Sequence, residues 1–361
     1  MKTFSGFSER TCRFNMYFLL LYSVDENKPQ GTYMKVLSFI EVHNAGMPVR
    51  IVFMPRIPGS SMRSKKTYCE ENLDWVRRLL TYEPRGSSNS YGVLVTDPAS
   101  NEADYGALFF DSTGWHDMCG HASMGLACYL VRSGLISCPG NTAEIKIDTP
   151  ANLVKLTVDS TGRVSLVNVP SFVLEEIKVT LPSFGSLTVY LTYGGNLYGV
   201  VDLDELGVEW SLNAIVDLAE LSKELWSTIS ESTKKGYPYK LYGFRFSKKI
   251  SDQPPKYYGV LMFGGPRRPL LDRSPSGTGS SAHLAYLYYK GIVKREEPVE
   301  FISAINTSFL GRIVNEVVVG GRRAIIPEIS TRNKACYITG YSTAILELDD
   351  PLGEGFPPLP L

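Results

Sequence analysis

Very little in this 361-residue sequence would hold the chain to a nucleic acid, to a membrane or in an oxidising compartment. Charge of one sign is missing: Lys plus Arg and Asp plus Glu both total 37, so no global field draws in a polyanion or an anionic lipid surface. Long apolar runs are missing too. The longest near the start, Met16 to Tyr22, is about one third of the ~20 residues a bilayer span requires. Arg10 and Arg13 precede it, but Ser23-Val24-Asp25-Glu26-Asn27 follows without a small-residue cleavage site, so no signal peptide is expected. Cysteine is sparse. The six residues, Cys12, Cys69, Cys119, Cys128, Cys138 and Cys336, form no CxxC pair, which argues against a disulfide scaffold and a zinc site and for a reducing cytoplasm. With four histidines and no ligand clustering, no metal is expected, and the partner that fits is a small molecule rather than nucleic acid or membrane.

What is present is the balance of a turn-rich globular protein, 43% hydrophobic with 32 Gly and 22 Pro. The length suits two domains. Residues 1–33 have no clear periodicity and read as an extension or an upstream start, whereas Met34 to Val42 reads as a first strand. Leu73, Val76, Leu79 and Leu80 space out one helical face, closed by the turn Glu83-Pro84-Arg85-Gly86. Short strands are then predicted over 144–147, 153–158, 164–167 and 187–191, a helix over 211–232 and a strand over 257–263. The class is α+β, without strict βαβ alternation.

An internal repeat organises this list. Met118 to Ile136, containing Cys119-Gly120-His121, lies without a gap on Pro275 to Val293, containing Ser276-Gly277-Thr278. Each copy reads as a small-residue turn, a helix closed by Gly134 or Gly291, and an emerging strand. The first half is placed at 34–180 with Cys119, joined by the C-terminal strand in 335–361, and the second at 181–334 with Ser276.

A helix start offers free N–H groups and a partial positive charge, so it binds carboxylate without a cationic side chain. Gly120 and Gly277 let the backbone approach a ligand closely. A thiol at such a place is expected to have its pKa lowered, which makes Cys119 the candidate base. Cys69, Cys128, Cys138 and Cys336 have no such setting and read as packing or surface residues, and His283, inside the second helix, as structural. His121 reads either as a capping residue or as a substrate contact. Gly277-Thr278-Gly279-Ser280-Ser281-Ala282 fits a dinucleotide fingerprint, but the proline-bounded segment Pro269 to Pro275 stands where a strand should enter the turn. No cofactor is expected.

These segments resemble the proline racemase family, from about Met34 to Phe356. The likeness rests on His43 to Arg50, Glu83-Pro84-Arg85-Gly86, Ala103-Asp104-Tyr105-Gly106, Met118-Cys119-Gly120-His121, Thr149-Pro150-Ala151, Asn168 to Val173, Gly194-Gly195-Asn196-Leu197-Tyr198, Asp272 to Gly279 and Asp350 to Phe356. It implies a fold like diaminopimelate epimerase: two pseudo-symmetric halves, each a curved, mainly antiparallel, barrel-like sheet around a central helix, with the active site between them. It also implies a cofactor-independent, cytoplasmic enzyme, a homodimer being one possible assembly.

In members that racemise, a cysteine at each helix start faces one side of the substrate Cα. Cys119 matches the first and Ser276 replaces the second, as in relatives that pair a thiol with a hydroxyl and dehydrate trans-3-hydroxy-L-proline. The resemblance therefore implies a hydro-lyase forming Δ1-pyrroline-2-carboxylate, ahead of a proline racemase or 4-hydroxyproline epimerase, and ahead of a degenerate imino-acid-binding protein. It assigns Cys119 and Ser276 to catalysis. Gly120, His121, Gly277 and Thr278 fall at the carboxylate, Asp272 at the ring nitrogen, and Tyr91 and Phe263 at the ring as aromatic walls.

Overall fold

The computed structural model describes residues 34–211, 213–233, 238–267, 269–347 and 350–358. Cys12, the Met16 to Tyr22 run and the rest of 1–33 lie outside the described residues, which hold 18 strands and five helices.

β1 (Met34–Asn44) and β2 (Met47–Phe53) form a hairpin. Its two central residues, Ala45 and Gly46, have φ of 51° and 90°, the handedness that matches strand twist in a two-residue turn. The chain then crosses over α1 (Met62–Asn72) and α2 (Asp74–Thr81) to β3 (Tyr91–Thr96), parallel to β2, and returns as β4 (Tyr105–Asp111) and β5 (Gly114–His116). α3 (Gly120–Arg132) is the next crossover, and β6 (Thr142–Asp148), β7 (Leu153–Asp159) and β8 (Val164–Val167) complete the set.

The second half repeats this order. β10 (Gly185–Tyr193) and β11 (Leu197–Asp202) lead through α4 (Ala214–Thr233) to β12 (Leu241–Asp252), parallel to β11. β13 (Pro255–Phe263), β14 (Leu270–Leu271), α5 (Gly277–Tyr289), β15 (Val299–Ile302), β16 (Ser308–Val319) and β17 (Arg322–Thr331) follow. The strand that follows each set pairs with the opposite one: β9 (Phe172–Leu181), after β8, runs along β10, while β18 (Cys336–Glu347), after β17, runs along β1. With β8 paired to β17, all strands form one open, mainly antiparallel ribbon that wraps twice, once around α3 and once around α5.

Both central helices are buried on every face through most of their length, as their small and apolar composition dictates. β3 and β4 are buried at every position, since they lie between α3 inside and the α1–α2 layer outside. Gly134 and Gly291 stand just past the helix ends with φ of 73° and 71°, as the repeat predicts. Two expectations need correction. The strands predicted over 144–147, 187–191 and 257–263 run to seven, nine and nine residues, continuing beyond the predicted apolar stretch. α1 goes unpredicted: its buried stripe is only Met62, Lys65 and Cys69, and its capping box pairs Ser61 with Ser64 instead of a glutamate.

Candidate active site

The two repeats bring their helix starts into direct contact. A Cβ placed on Gly120 would lie 2.7 Å from the Cα of Gly277, and the reverse holds equally, so only glycine permits this approach. Cys119 and Ser276 are the N-caps of α3 and α5, 8% and 4% exposed, and both line a cavity of about 10 Å³ at the junction. Tyr91, His121, Asp272 and Thr278 line it as well. A cleft of about 650 Å³ shares His116, Asn196 and Tyr242 with it.

The caps differ in what their side chains do. Cys119 makes no capping hydrogen bond, and its Sγ sits 3.3 Å from His121 Nδ1. Ser276 has φ of 62°, a left-handed conformation for a residue with a Cβ, and its Oγ accepts from the Gly279 N–H at 3.2 Å. The Ser276 N–H donates to Ser274 Oγ at 3.1 Å, while Ser274 donates through both N–H and Oγ–H to Asp272 Oδ1, at 2.8 and 2.9 Å. Asp272 thus serves the turn with one oxygen and still lines the cavity.

The expected lowering of the Cys119 pKa is not what the site produces. Burial pushes the thiol up, and Asp272 and Asp111 add to the rise, while the N–H groups of Ala122 and His121 pull the other way without compensating. Burial also lowers the His121 pKa against the pull of Asp272 and Asp111, leaving a neutral imidazole beside the sulfur. If Cys119 is the base, kcat/KM should therefore climb with pH and go on climbing past about 9.0, the ordinary thiol value, as the thiolate fraction of the free enzyme grows. A pH–rate profile with an alkaline plateau beginning near neutrality would contradict this.

Phe263 does not reach the cavity. It stacks on Tyr242 with centroids 5.4 Å apart and lies behind Tyr91 at 5.7 Å, so it supports the wall rather than forming it. The wall is a phenol pair contributed by the two halves: Tyr91 and Tyr242 share a hydrogen bond of 2.9 Å, and Tyr242 donates to Asp111 Oδ2 at 3.1 Å. Sequence reasoning also passed over Tyr198, whose hydroxyl lies 2.6 Å from Thr278 Oγ1, and Asn196, which donates to the carbonyl of Met118 at 2.8 Å. Both stand in the Gly194 to Tyr198 segment, whose two adjacent glycines were the available signal. His283 is structural as expected, buried with Nε2 at 2.7 Å from Ser247 Oγ. Among the described residues no cluster of ligands suits a metal ion, and no helix is long and apolar enough to cross a membrane.

The family model for proline racemase matches residues 39–357. The chain belongs to the proline racemase family. It is 36% identical to a proline racemase of Acetoanaerobium sticklandii, over 90% of this chain and 99% of that one. It is 31% identical to a trans-3-hydroxy-L-proline dehydratase of Burkholderia ambifaria, over 89% and 97%. Among solved structures, a hydroxyproline epimerase of Agrobacterium vitis with bound trans-4-hydroxy-L-proline superposes with a TM-score of 0.80 at 26% identity, over 89% and 95% of the two chains. Family relatives at similar identity thus span racemase, epimerase and dehydratase, so membership alone does not choose among the reactions.

Proposed function

We propose that this member of the proline racemase family dehydrates trans-3-hydroxy-L-proline to Δ1-pyrroline-2-carboxylate. The observation that carries the reading is the unequal pair of caps: a thiol free of capping duty on one side, and on the other a serine oxygen already accepting from the Gly279 N–H. A capping hydroxyl keeps its own proton available to donate, and is a poor base.

In this reading the substrate carboxylate lies at the two helix starts, where N–H groups near Gly120, His121, Gly277 and Thr278 take up the charge that develops on it. Cys119 as thiolate takes the Cα proton, its own proton having gone to solvent beforehand, since burial keeps the neighbouring His121 a weak base. The electron pair left on Cα forms a C2–C3 double bond as the C3–O bond breaks. In trans-3-hydroxy-L-proline the Cα–H and the C3 hydroxyl lie on the same face of the ring, so the departing oxygen takes up the proton now held by Cys119 and leaves as water, while Ser276 on the opposite face offers no base that could invert Cα. The resulting enamine tautomerises to the imine in solution. Asp272 faces the ring nitrogen, and Tyr91 and Tyr242 face the ring. The reaction requires no cofactor.

Supplying the protein with L-proline, trans-3-hydroxy-L-proline and trans-4-hydroxy-L-proline separately, and identifying the products by NMR, tests the reading. Pyrroline carboxylate from the 3-hydroxy compound alone is expected; inversion of either other substrate as the main activity would replace dehydration with isomerisation. The carboxylate site has its own test. Pyrrole-2-carboxylate, a planar mimic of the carbanion, should inhibit at least about 100-fold better than prolinamide, as transition-state-like ligands do. Equal inhibition would mean that the helix starts do not hold the carboxylate.

A further inference from the structure

The wall that Tyr91 and Tyr242 form is polar, although an unsubstituted pyrrolidine ring needs only apolar ring faces around it. The reason lies behind the wall. Asp111, at the end of β4, is wholly buried. Its Oδ1 accepts from the N–H and the Oγ–H of Thr113, both at 2.6 Å. Its Oδ2 accepts from Tyr242 at 3.1 Å and stands 2.8 Å from His116 Nε2. Burial alone would raise the Asp111 pKa, but His116 and Thr113 outweigh it and the group stays ionised. Burying a carboxylate and two phenols at a wall is unfavourable unless their polar atoms are used.

The charge on Asp111 sets the direction of the hydrogen bonds that run to the cavity. A carboxylate only accepts, and a phenol has a single proton to donate. Tyr242 donates to Asp111, so the 2.9 Å bond between the phenols runs from Tyr91 to Tyr242. Both hydroxyl protons are thereby committed to the wall. Tyr91, which lines the cavity, keeps lone pairs that meet no donor among the described residues. It stands on the Cys119 side: its ring meets the edge of His121 at 4.6 Å, and His121 Nδ1 is 3.3 Å from Cys119 Sγ.

We propose that Tyr91, oriented by Tyr242 and Asp111, accepts a hydrogen bond from a hydroxyl on the substrate ring and so selects hydroxyprolines over proline. Placing that hydroxyl at C3 rests on the dehydratase reading; the choice of a hydroxylated ring does not. The C3 hydroxyl of trans-3-hydroxy-L-proline lies on the Cys119 face, as Tyr91 does. A hydroxyl that donates to Tyr91 keeps its own lone pairs for the proton held by Cys119, and is thus oriented to leave as water.

Calorimetry on the Cys119→Ala protein, in which no turnover is expected, reads the selection directly. The tighter-binding of trans-3- and trans-4-hydroxy-L-proline should bind about tenfold better than L-proline, the size of one good buried hydrogen bond. Its fluoro analogue, with fluorine in place of the hydroxyl, accepts but cannot donate, and should match L-proline within about twofold. Adding Tyr91→Phe should bring the hydroxyproline down to the affinity of L-proline and leave L-proline itself within about twofold of its former affinity. Three outcomes overturn the proposal: no preference for either hydroxyproline, a fluoro analogue as tight as the hydroxyl compound, or losses in Tyr91→Phe that are equal for hydroxyproline and proline. Should the double variant fail to fold, the fluoro comparison carries the test, since it leaves Tyr91 unaltered. The product made by the unaltered protein judges the reaction separately. Inversion of a hydroxyproline defeats the dehydratase reading, while the affinities still judge Tyr91.

Discussion

Cys119→Ala should abolish turnover, by at least about 10⁴-fold, while the protein stays folded. Removal of the only base on that face leaves no group to accept the Cα proton, and the neutral His121 cannot replace it, since burial holds its pKa low and its Nδ1 faces the sulfur. Structure should survive because the Cys119 side chain makes no capping hydrogen bond to α3. Loss of one buried sulfur should move the melting temperature by no more than about 4 °C. Cys138→Ala, on a partly exposed residue whose Sγ meets only the Gly140 carbonyl, is the control and should keep the full rate. Residual turnover in Cys119→Ala within about tenfold of the unaltered protein would move the base elsewhere.

Ser276 gives the second large effect, and two variants of it point in different directions. Ser276→Ala removes the acceptor for the Gly279 N–H. It should lower stability by about 1 kcal/mol, the cost of a lost N-cap, and keep dehydration within about tenfold, because the oxygen departs on the Cys119 face. Ser276→Cys places a second ionisable group at the start of α5, opposite Cys119, and should bring in measurable inversion of proline that the unaltered protein lacks. Chiral chromatography of L-proline incubations checks this: a Ser276→Cys protein with fast dehydration and no trace of D-proline would show that the identity of the cap does not divide the two reactions.

The helix starts were legible because their chemistry is local. Glycine beside the cap, small residues in the first turn and glycine past the last are needed wherever such helices meet, and nineteen gapless positions repeat that requirement. The exchange of β9 and β18 between the halves was less legible, since strand pairing across more than 300 residues, as between Met34 and Glu347, leaves no periodic mark. Burial at the site was not legible at all. The rise in the Cys119 pKa comes from residues that enclose the sulfur from both halves, Asp111 and Asp272 among them, and helix-start reasoning sees only the dipole. Tyr242 likewise gains a role only through Tyr91, which the other half supplies.

The central claim is that one face of the substrate meets a base and the other a proton-holding hydroxyl. The measurement that tests it most directly is incubation of the unaltered protein with L-proline in D2O, followed by separation of the enantiomers and NMR of each. The account predicts that deuterium enters L-proline at Cα with retention and that D-proline does not accumulate. Rapid appearance of D-proline, with deuterium at Cα in both enantiomers, would mean that the Ser276 side removes and delivers protons as well as a thiol does, and would contradict it.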